Sequence, residues 1–305
     1  MDLVKKAFEY QPITRLPRGE LWLGMELLKK ANLEDNLQGH LALVKRLGQD
    51  LLCLPISRDS SVNKALGYRY FGLEDLEEAS RIGDLFLMGV INGPFQRLVE
   101  KNGWMKILTE WKREREDVTK RIEKEWTEVD RLIKQCLELS VDAIVLAEDL
   151  AGEGGPLVDP KDIQAFFSRF YTQAVSEIHG KHSYALFHSC GNITRFIPQL
   201  VSLGFDGLAA IQHRANDLIS IREKYGSALT LMGGIEAEIL EPGEIPSSSL
   251  KEYEKLIRYF SQGGGFILCS CSGLYSGDFL ERLQELYRIA DEFRNLGDRS
   301  ERSKD

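Results

Sequence analysis

The sequence predicts an α/β fold, specifically a TIM-type (β/α)8 barrel, regular or distorted, with an N-terminal helical lead-in. From residue 142 onward, short apolar segments alternate with amphipathic segments of helical length, as in β-α-β units with a parallel sheet. Reactive side chains directly follow these apolar segments, where barrel active sites are built. A doubly wound open sheet is the rival fold, but no G-x-G-x-x-G follows the first strand.

All 305 residues are predicted to form a single barrel domain. Residues 1–49 form the lead-in, which starts irregularly over residues 1–20 and continues as two helices ending at Gly48. The barrel occupies residues 50–294, and a polar segment with interspersed aromatics at about 57–84 predicts an inserted hairpin or loop. Residues 295–305 form a charged tail that we expect to be frayed.

The barrel segments predict seven strands, one short of eight, and the region around Phe71 is a candidate for the missing one. The predicted strands are residues 50–55, 84–91, 142–147, 183–187, 206–211, 228–232 and 265–268. Predicted helices include residues 159–179, 194–203, 217–225, 248–261 and 278–294, and an amphipathic helix over 111–139 that is kinked into two.

Composition excludes several classes of function. The net charge of -8 and the absence of a basic patch interleaved with aromatics argue against a nucleic-acid partner. No apolar run approaches the ~20 residues that span a bilayer, and the first residues lack an apolar signal core, so we expect a cytoplasmic protein without a membrane partner. Five cysteines, an odd number, fit a reducing compartment in which thiols are free to bind metal.

Two metal-capable side chains lie at the end of the predicted strand 183–187. His188 and Cys190 are two residues apart, so in an extended segment they project from the same face. This spacing suits two ligands of one metal ion, although a buried histidine and cysteine that are merely packed in the core would look the same.

The last predicted strand ends in two further cysteines, Cys269 and Cys271. Two thiolates and one imidazole, with a position left for another ligand or a substrate, form a donor set that zinc accepts at catalytic sites. The alternatives are a redox pair, for which the one-residue spacing is poor, and simple packing. We therefore predict a zinc site.

Other polar residues also follow predicted strands. Glu148 and Asp149 end one strand, Gln212 and His213 another, and Glu236 a third, so that five consecutive strand ends converge at one mouth. Each acid is an equally good candidate for hydrogen bonding to backbone amides or capping a helix.

These residues resemble the uroporphyrinogen decarboxylase superfamily and, within it, the zinc-dependent methyltransferases that act on methylated corrinoids. The resemblance runs from about residue 142 to residue 293. It rests on EDLA at 148–151, GPLVDP at 155–160, FHSCGN at 187–192, GGIE at 233–236 and GGFIL at 264–268, and more weakly on Gly93-Pro94-Phe95.

The resemblance implies a (β/α)8 barrel whose zinc ligands are His188, Cys190 and a cysteine after the last strand. In the family that cysteine often follows a glycine, and the corresponding position in this chain is occupied by Ser272. This is a departure from the family pattern. Cys271, the neighbouring residue, is the preferred ligand, and Cys269 is the alternate. The resemblance further implies that Asp149 and Glu148 are catalytic residues, or that Asp149 orients the imidazole of His188. Candidates for a fourth zinc ligand are Glu148, Asp149, His213 and Glu236. The residues expected to bind the corrinoid are Asn192, Glu236 and Gln212.

The implied activity is transfer of a methyl group from a methylcorrinoid to a zinc-activated small thiol, leaving Co(I) and a thioether. The chain has no corrinoid-binding Asp-x-His-x-x-Gly, so the corrinoid is expected on a partner protein or as free methylcobalamin. The insertion and the lead-in near Arg15 are candidate docking surfaces. True decarboxylases of the superfamily carry an N-terminal Arg-Gln-Ala-Gly-Arg motif, whereas residues 21–27 lack arginine. Two alternatives remain: a metal-free decarboxylase or lyase, and a barrel that binds a corrinoid or tetrapyrrole without catalysis.

Overall fold

The computed structural model describes residues 2–301 of the chain, and its backbone is an α/β barrel. In chain order the strands are β1 (Leu51–Pro55), β2 (Ser61–Asn63), β3 (Tyr68–Tyr70), β4 (Phe86–Asn92), β5 (Ala143–Ala147), β6 (Ala151–Gly152), β7 (Gly155–Pro156), β8 (Tyr184–His188), β9 (Gly207–Ile211), β10 (Thr230–Ile235) and β11 (Phe266–Ser270).

Helices surround the sheet and join its strands. They are α1 (Asp2–Phe8), α2 (Met25–Lys30), α3 (Leu37–Arg46), α4 (Leu73–Ile82), α5 (Pro94–Asn102), α6 (Trp104–Arg113), α7 (Arg115–Glu138), α8 (Pro160–Asp162), α9 (Ser168–Gly180), α10 (Ile197–Ser202), α11 (Leu218–Tyr225), α12 (Ala237–Leu240), α13 (Ser247–Phe260) and α14 (Phe279–Glu301). A π-helical turn, Ile163–Phe167, joins α8 to α9.

Seven strands form one curled, parallel sheet in the order β1-β4-β5-β8-β9-β10-β11. All seven are nearly continuous runs of buried residues, as expected for parallel strands covered on both faces. One apolar cluster fills the barrel interior, and a second, larger cluster lies between the strands and the helices. The predicted fold class is confirmed.

An irregular segment of the lead-in takes the eighth position of the barrel. The amide of Leu268 donates to the carbonyl of Pro17 (2.8 Å), and the amide of Gly19 donates to the carbonyl of Leu268 (3.1 Å). On the other side, the amide of Asp50 donates to the carbonyl of Arg18 (2.8 Å). These bonds join β11 to the start of β1, so the region around Phe71 does not supply the missing strand. That region contains the antiparallel hairpin β2–β3, as predicted for the insertion at 57–84, but the second half of the predicted insertion is wrong, since Leu73–Ile82 form the helix α4.

The start of the lead-in is more ordered than the sequence indicates. Residues 1–20 were expected to be irregular, but α1 forms within them and closes the bottom of the barrel. The ring of Phe8 stacks on Tyr184 with centroids 4.1 Å apart, and on Phe86 at 5.8 Å. A helix of seven residues is too short for its periodicity to stand out in the sequence.

Arg15, near which we expected a docking surface, forms an ion pair within the barrel wall. Both of its terminal nitrogens contact the carboxylate of Asp50, at 2.7 and 2.6 Å. This guanidinium therefore links the lead-in to β1.

Two helical segments differ in detail from the expectation. The helix predicted over 111–139 corresponds to the end of α6 and the whole of α7. The two helices are separated at Glu114, so the break lies near the start of the predicted segment and α7 itself is continuous. The last helix, α14, continues to Glu301 rather than ending at 294, while residues 302–305 of the predicted frayed tail lie outside the described residues. Between residues 2 and 301, no helix is long and apolar enough to cross a membrane.

A buried carboxylate stabilises the closed barrel. Glu20 is 2% exposed. Its oxygens accept hydrogen bonds from the Ser270 amide (2.8 Å), the Ser270 hydroxyl and the Tyr287 hydroxyl (2.7 Å). Burial raises the pKa of Glu20 to about 7, although these hydrogen bonds act to lower it. The lead-in, β11 and α14 thus share one polar junction.

We expect Glu20→Ala to lower the free energy of unfolding by about 2–4 kcal/mol, because it leaves buried donors of Ser270 and Tyr287 without acceptors. Urea denaturation at constant pH measures the change. Glu26→Ala, on the exposed face of α2, is the control and should change stability by less than about 0.5 kcal/mol. Equal stability of Glu20→Ala and the wild type would contradict a role of Glu20 in closing the barrel.

Candidate functional site

The carboxyl ends of five neighbouring strands bring titratable side chains together at one rim. Among the described residues, two groups of three have ligand atoms that all lie within 4.8 Å of one another. The first group is Asp149, His188 and Cys190, and the second is His213, Glu236 and Cys271. The sequence therefore predicted the rim correctly, but the structure divides its residues into two clusters.

A bulge in β9 precedes the rim and explains how the first cluster is oriented. Gly207 and Leu208 pair with both β8 and β10, but Ala209 and Ala210 pair with neither strand. Ala210 has a φ of 50°, which is unusual for a residue with a side chain. A bulge of this kind bends the strand and redirects its backbone groups.

The carbonyl exposed by the bulge holds the imidazole of His188. Nδ1 of His188 donates to the carbonyl oxygen of Ala209 at 2.7 Å, and the residue is 3% exposed. With its hydrogen on Nδ1, a neutral imidazole presents the lone pair of Nε2 on its opposite side. Nε2 lies 3.5 Å from Oδ1 of Asp149 and 3.8 Å from Sγ of Cys190. Three different donor atoms thus face one point.

Asp149 lies in a backbone conformation that turns its carboxylate towards β8. Its φ is 43°, and Oδ1 accepts a hydrogen bond from the backbone amide of Cys190 at 2.9 Å. Although burial acts in the opposite direction, His188 and this amide lower the pKa of Asp149 to about 2. Burial also opposes protonation of His188, but hydrogen bonds to Asp149 and Cys190 raise its pKa to about 10. A negative carboxylate therefore favours a cation at Nε2, either a proton or a metal ion.

The loop after β8 is fixed from two sides. Its Gly191 has a φ of 78°, and a Cβ atom there would lie 2.4 Å from the carbonyl oxygen of Gly152. Oε1 of Gln212 accepts a hydrogen bond from the Gly191 amide at 2.6 Å. Asn216 accepts from the Ile193 amide at 2.9 Å and donates to the Gly191 carbonyl at 2.9 Å. These bonds determine where Cys190 lies.

Two of the three residues expected to bind a corrinoid, Asn192 and Gln212, lie around this loop, whereas Glu236 belongs to a second cluster with His213 and Cys271. Oδ1 of Asn192 accepts from the amide of Thr194 at 3.1 Å, and Gln212 contacts Gly191 as described. Both side-chain oxygens thus have partners within the protein. Their corrinoid-binding role stays a prediction.

Glu148, expected to be catalytic, is fully buried and connects three elements. Its Oε2 accepts from the amides of Phe95 (3.1 Å) and Gln96 (3.0 Å) in the first turn of α5, and its Oε1 accepts from the Tyr171 hydroxyl (2.7 Å). Burial raises its pKa to about 8, against the effect of these bonds. The contacts are those of a helix-capping residue, and they lend no support to a catalytic role.

The second cluster lies at the ends of β9, β10 and β11. Nδ1 of His213 is 3.2 Å from Oε1 of Glu236, and the Sγ of Cys271 donates to the carbonyl of Ile211 at 3.1 Å. Burial lowers the pKa of His213 and, with the nearby Glu236, raises the pKa of the Cys271 thiol. The predicted grouping of Cys271 with His188 and Cys190 has no support from these distances and stays a prediction.

Cys269, the alternate ligand, lies in the barrel interior. It is 0% exposed, and its Sγ contacts the carbonyl of Ser270 at 3.1 Å and the carboxylate of Glu20 at 3.6 Å. Burial and the nearby Glu20 raise the pKa of its thiol. These surroundings resemble those of an inert core cysteine.

Aromatic residues that the sequence analysis did not single out as site residues flank the first cluster. The ring of Trp22 meets His188 edge-on with centroids 4.9 Å apart, and Tyr275 stacks on Tyr68 at 6.0 Å. Burial, together with the nearby Tyr68, Cys190 and Asp149, raises the pKa of Tyr275, so this phenol is within electrostatic range of the cluster. Trp22, Tyr68 and Tyr275 come from three distant parts of the chain, so no local motif identifies them.

The family model for uroporphyrinogen decarboxylase (URO-D) matches residues 54–293 of this chain. The chain belongs to the uroporphyrinogen decarboxylase family. The match covers β2 to β11 and both clusters, and it confirms the superfamily resemblance that the strand-end motifs indicated. A comparison with curated proteins finds no significant match.

Solved structures with the same fold include two proteins associated with methyl-group chemistry by their names. A methyltransferase from Methanosarcina mazei is 17% identical, with a TM-score of 0.72, and the alignment covers 95% of this chain and 97% of that chain. A protein from Listeria monocytogenes, described as a candidate vitamin-B12-independent methionine synthase, is 12% identical, with a TM-score of 0.55 and coverage of 92% and 98%. At such low identity these likenesses establish the fold.

We expect Gly191→Ala to destabilise the protein by about 1–3 kcal/mol, because it combines a positive φ with a close approach to the Gly152 carbonyl. Gly154→Ala is a matched control in the same region, since a Cβ atom added there would have no other atom within 4 Å. Urea denaturation of both variants tests the difference. Equal stabilities would show that the loop adapts freely.

We expect the pH dependence of stability to reveal the protonation of Glu148. Its folded pKa of about 8 lies above the ordinary 4.5, so the folded state binds this proton more tightly than the unfolded state. Its stabilising contribution is complete below about pH 4.5 and is lost as the pH rises through about 8. Relative to Glu148→Gln, the wild type should therefore lose stability between these values, as measured by urea denaturation at several pH values. If the difference in unfolding free energy between the wild type and Glu148→Gln does not vary with pH, the raised pKa of Glu148 is contradicted. The titration of Glu20 contributes equally to both proteins and therefore cancels in this difference.

Proposed function

We propose that this chain transfers a methyl group from a methylated corrinoid to the sulfur of a small thiol substrate, with zinc bound by Asp149, His188 and Cys190. The observation that carries the proposal is the orientation of His188. Its Nδ1 is bonded to the Ala209 carbonyl, so Nε2 faces the Asp149 carboxylate and the Cys190 thiol. Metal-bound histidines are commonly fixed by a backbone carbonyl in this manner.

The donor set suits zinc. Imidazole nitrogen, carboxylate oxygen and cysteine sulfur are all zinc ligands, and three protein ligands leave a position for a substrate. Zinc bound there would lower the pKa of a coordinated thiol substrate and supply its thiolate at neutral pH. Because the Asp149 carboxylate and the Cys190 thiolate would both be negatively charged ligands, the sulfur of the bound substrate would stay electron-rich and nucleophilic.

The surroundings of the cluster suit a transfer that excludes water. Trp22 covers one edge of His188, and Tyr68 with Tyr275 provides an aromatic wall beside Cys190 and Asp149. Such flat, apolar surfaces fit the face of a large macrocycle. The methyl donor would be free methylcobalamin or a corrinoid carried by a partner protein, for which the hairpin β2–β3 near Tyr68 is the proposed contact.

We expect the wild type to bind zinc and to demethylate methylcobalamin in the presence of a small thiol. Loss of the methylcobalamin absorbance and formation of the thioether by mass spectrometry measure the reaction across a panel of anionic, neutral and cationic thiols. Cys190→Ser and His188→Ala should weaken zinc binding at this centre by at least about 100-fold and abolish transfer, because each removes a direct ligand.

Cys136→Ala is the control, since this cysteine is buried in α7 away from the rim and should leave transfer unchanged. Zinc affinity should also fall as the pH is lowered, because protons compete for Nε2 of His188 and Sγ of Cys190. Full activity of metal-free protein, or of Cys190→Ser, would refute the proposed mechanism.

A further inference from the structure

The second cluster has no role in the reaction proposed above, although its composition is that of a metal site. It shares no residue with the first cluster, and its three ligand atoms lie within 4.8 Å of one another. His213 follows β9, Glu236 follows β10 and Cys271 follows β11, so each residue is fixed by a different strand. Three neighbouring strand ends therefore assemble the cluster.

Nδ1 of His213 is a buried polar atom without a hydrogen-bond partner. It lies 3.2 Å from Oε1 of Glu236, close enough for a hydrogen bond but with unsuitable geometry. Oε1 of Glu236 already accepts from the backbone amide of Arg214 at 3.0 Å. A buried nitrogen in this position is costly unless a partner satisfies it, and a cation between it and the carboxylate would do so.

The nearest guanidinium does not fill that role. The side chain of Arg214 forms its ion pair with Glu238, and only its backbone contacts Glu236. Cys271, 1% exposed, adds a sulfur donor from the third strand. The donor set of imidazole, carboxylate and thiolate is one that zinc and similar transition metals accept, and two negative ligands balance a divalent charge.

A cavity of about 180 Å³ reaches two residues of the cluster, His213 and Glu236, from the helix side of the barrel. Its walls include His213 and Glu236, together with the acidic side chains of Glu238 and Glu252. A cavity of this size holds several water molecules, since one water needs only about 10–15 Å³ of such space. The walls also include Arg214, which pairs with Glu238, so the carboxylates of Glu236 and Glu252 leave the lining with a net negative charge that favours cations over anions.

We propose that His213, Glu236 and Cys271 bind a second divalent transition-metal ion, with zinc as the expected metal. The ion would fasten the ends of β9, β10 and β11 to one another. This site shares no ligand with the zinc of the proposed function, and its stoichiometry rests on that function: with both sites filled, the chain binds two zinc ions rather than one.

The test counts zinc ions in the purified full-length chain after reconstitution and removal of loosely bound metal. Elemental analysis should give two equivalents for the wild type, one for Cys271→Ser and one for Cys190→Ser. Cobalt substitution should give thiolate-to-cobalt absorption in both single variants and none in the double variant. His213→Gln repeats the test without altering a cysteine, and circular dichroism verifies that each variant is folded.

The pattern of losses decides between the two sites. One equivalent in the wild type that persists in Cys271→Ser and His213→Gln, but not in Cys190→Ser, would overturn this proposal and leave the proposed function intact. One equivalent lost equally in Cys190→Ser and Cys271→Ser would overturn it in favour of a single shared centre. Two equivalents that are unaffected by Cys271→Ser and by His213→Gln would also refute it, since the second ion would then lie elsewhere.

Discussion

The hydrogen bond between Nδ1 of His188 and the carbonyl of Ala209 is the contact on which the candidate catalytic centre depends. It exists because β9 bulges at Ala209 and Ala210, where pairing with both neighbouring strands is interrupted. An unstrained strand would engage that carbonyl in the ladder, and the imidazole would lose its fixed orientation. The positive φ of Ala210 is the local strain that accompanies this arrangement.

The same bulged strand also contributes to the second cluster. The carbonyl oxygen of Ile211 accepts a hydrogen bond from the thiol of Cys271. A Cβ atom added at Gly233 would lie 2.6 Å from the same oxygen. A residue without a side chain is therefore needed opposite the bulge. One backbone irregularity thus orients His188 on one side and Cys271 on the other.

Much of the fold was predictable because parallel strands are continuous apolar runs whose ends are marked by polar residues and glycine. The strand period also correctly placed His188 and Cys190 on one face. The same reasoning does not extend to Cys271, which lies just past the end of β11, where the chain no longer alternates, so its grouping with His188 and Cys190 stays a prediction. Glu148 shows the other limit, since a buried acid that caps a helix and an acid that faces a substrate look alike in the sequence. The closing segment at Arg18 has too few residues in extended pairing to give a strand signal.

Closure of the barrel joins the two extremes of the chain. Glu20 and Ser270 are separated by 250 residues, yet they share a buried hydrogen bond. Contacts of such separation form late in folding, because the entropy of closing a long loop must be overcome first. During synthesis the growing sheet keeps an open edge at β1 until β11 has emerged, and unpaired edges promote association. Because β11 is synthesised last of the seven strands, the nascent protein remains prone to aggregation until the C-terminal part of the chain has been made.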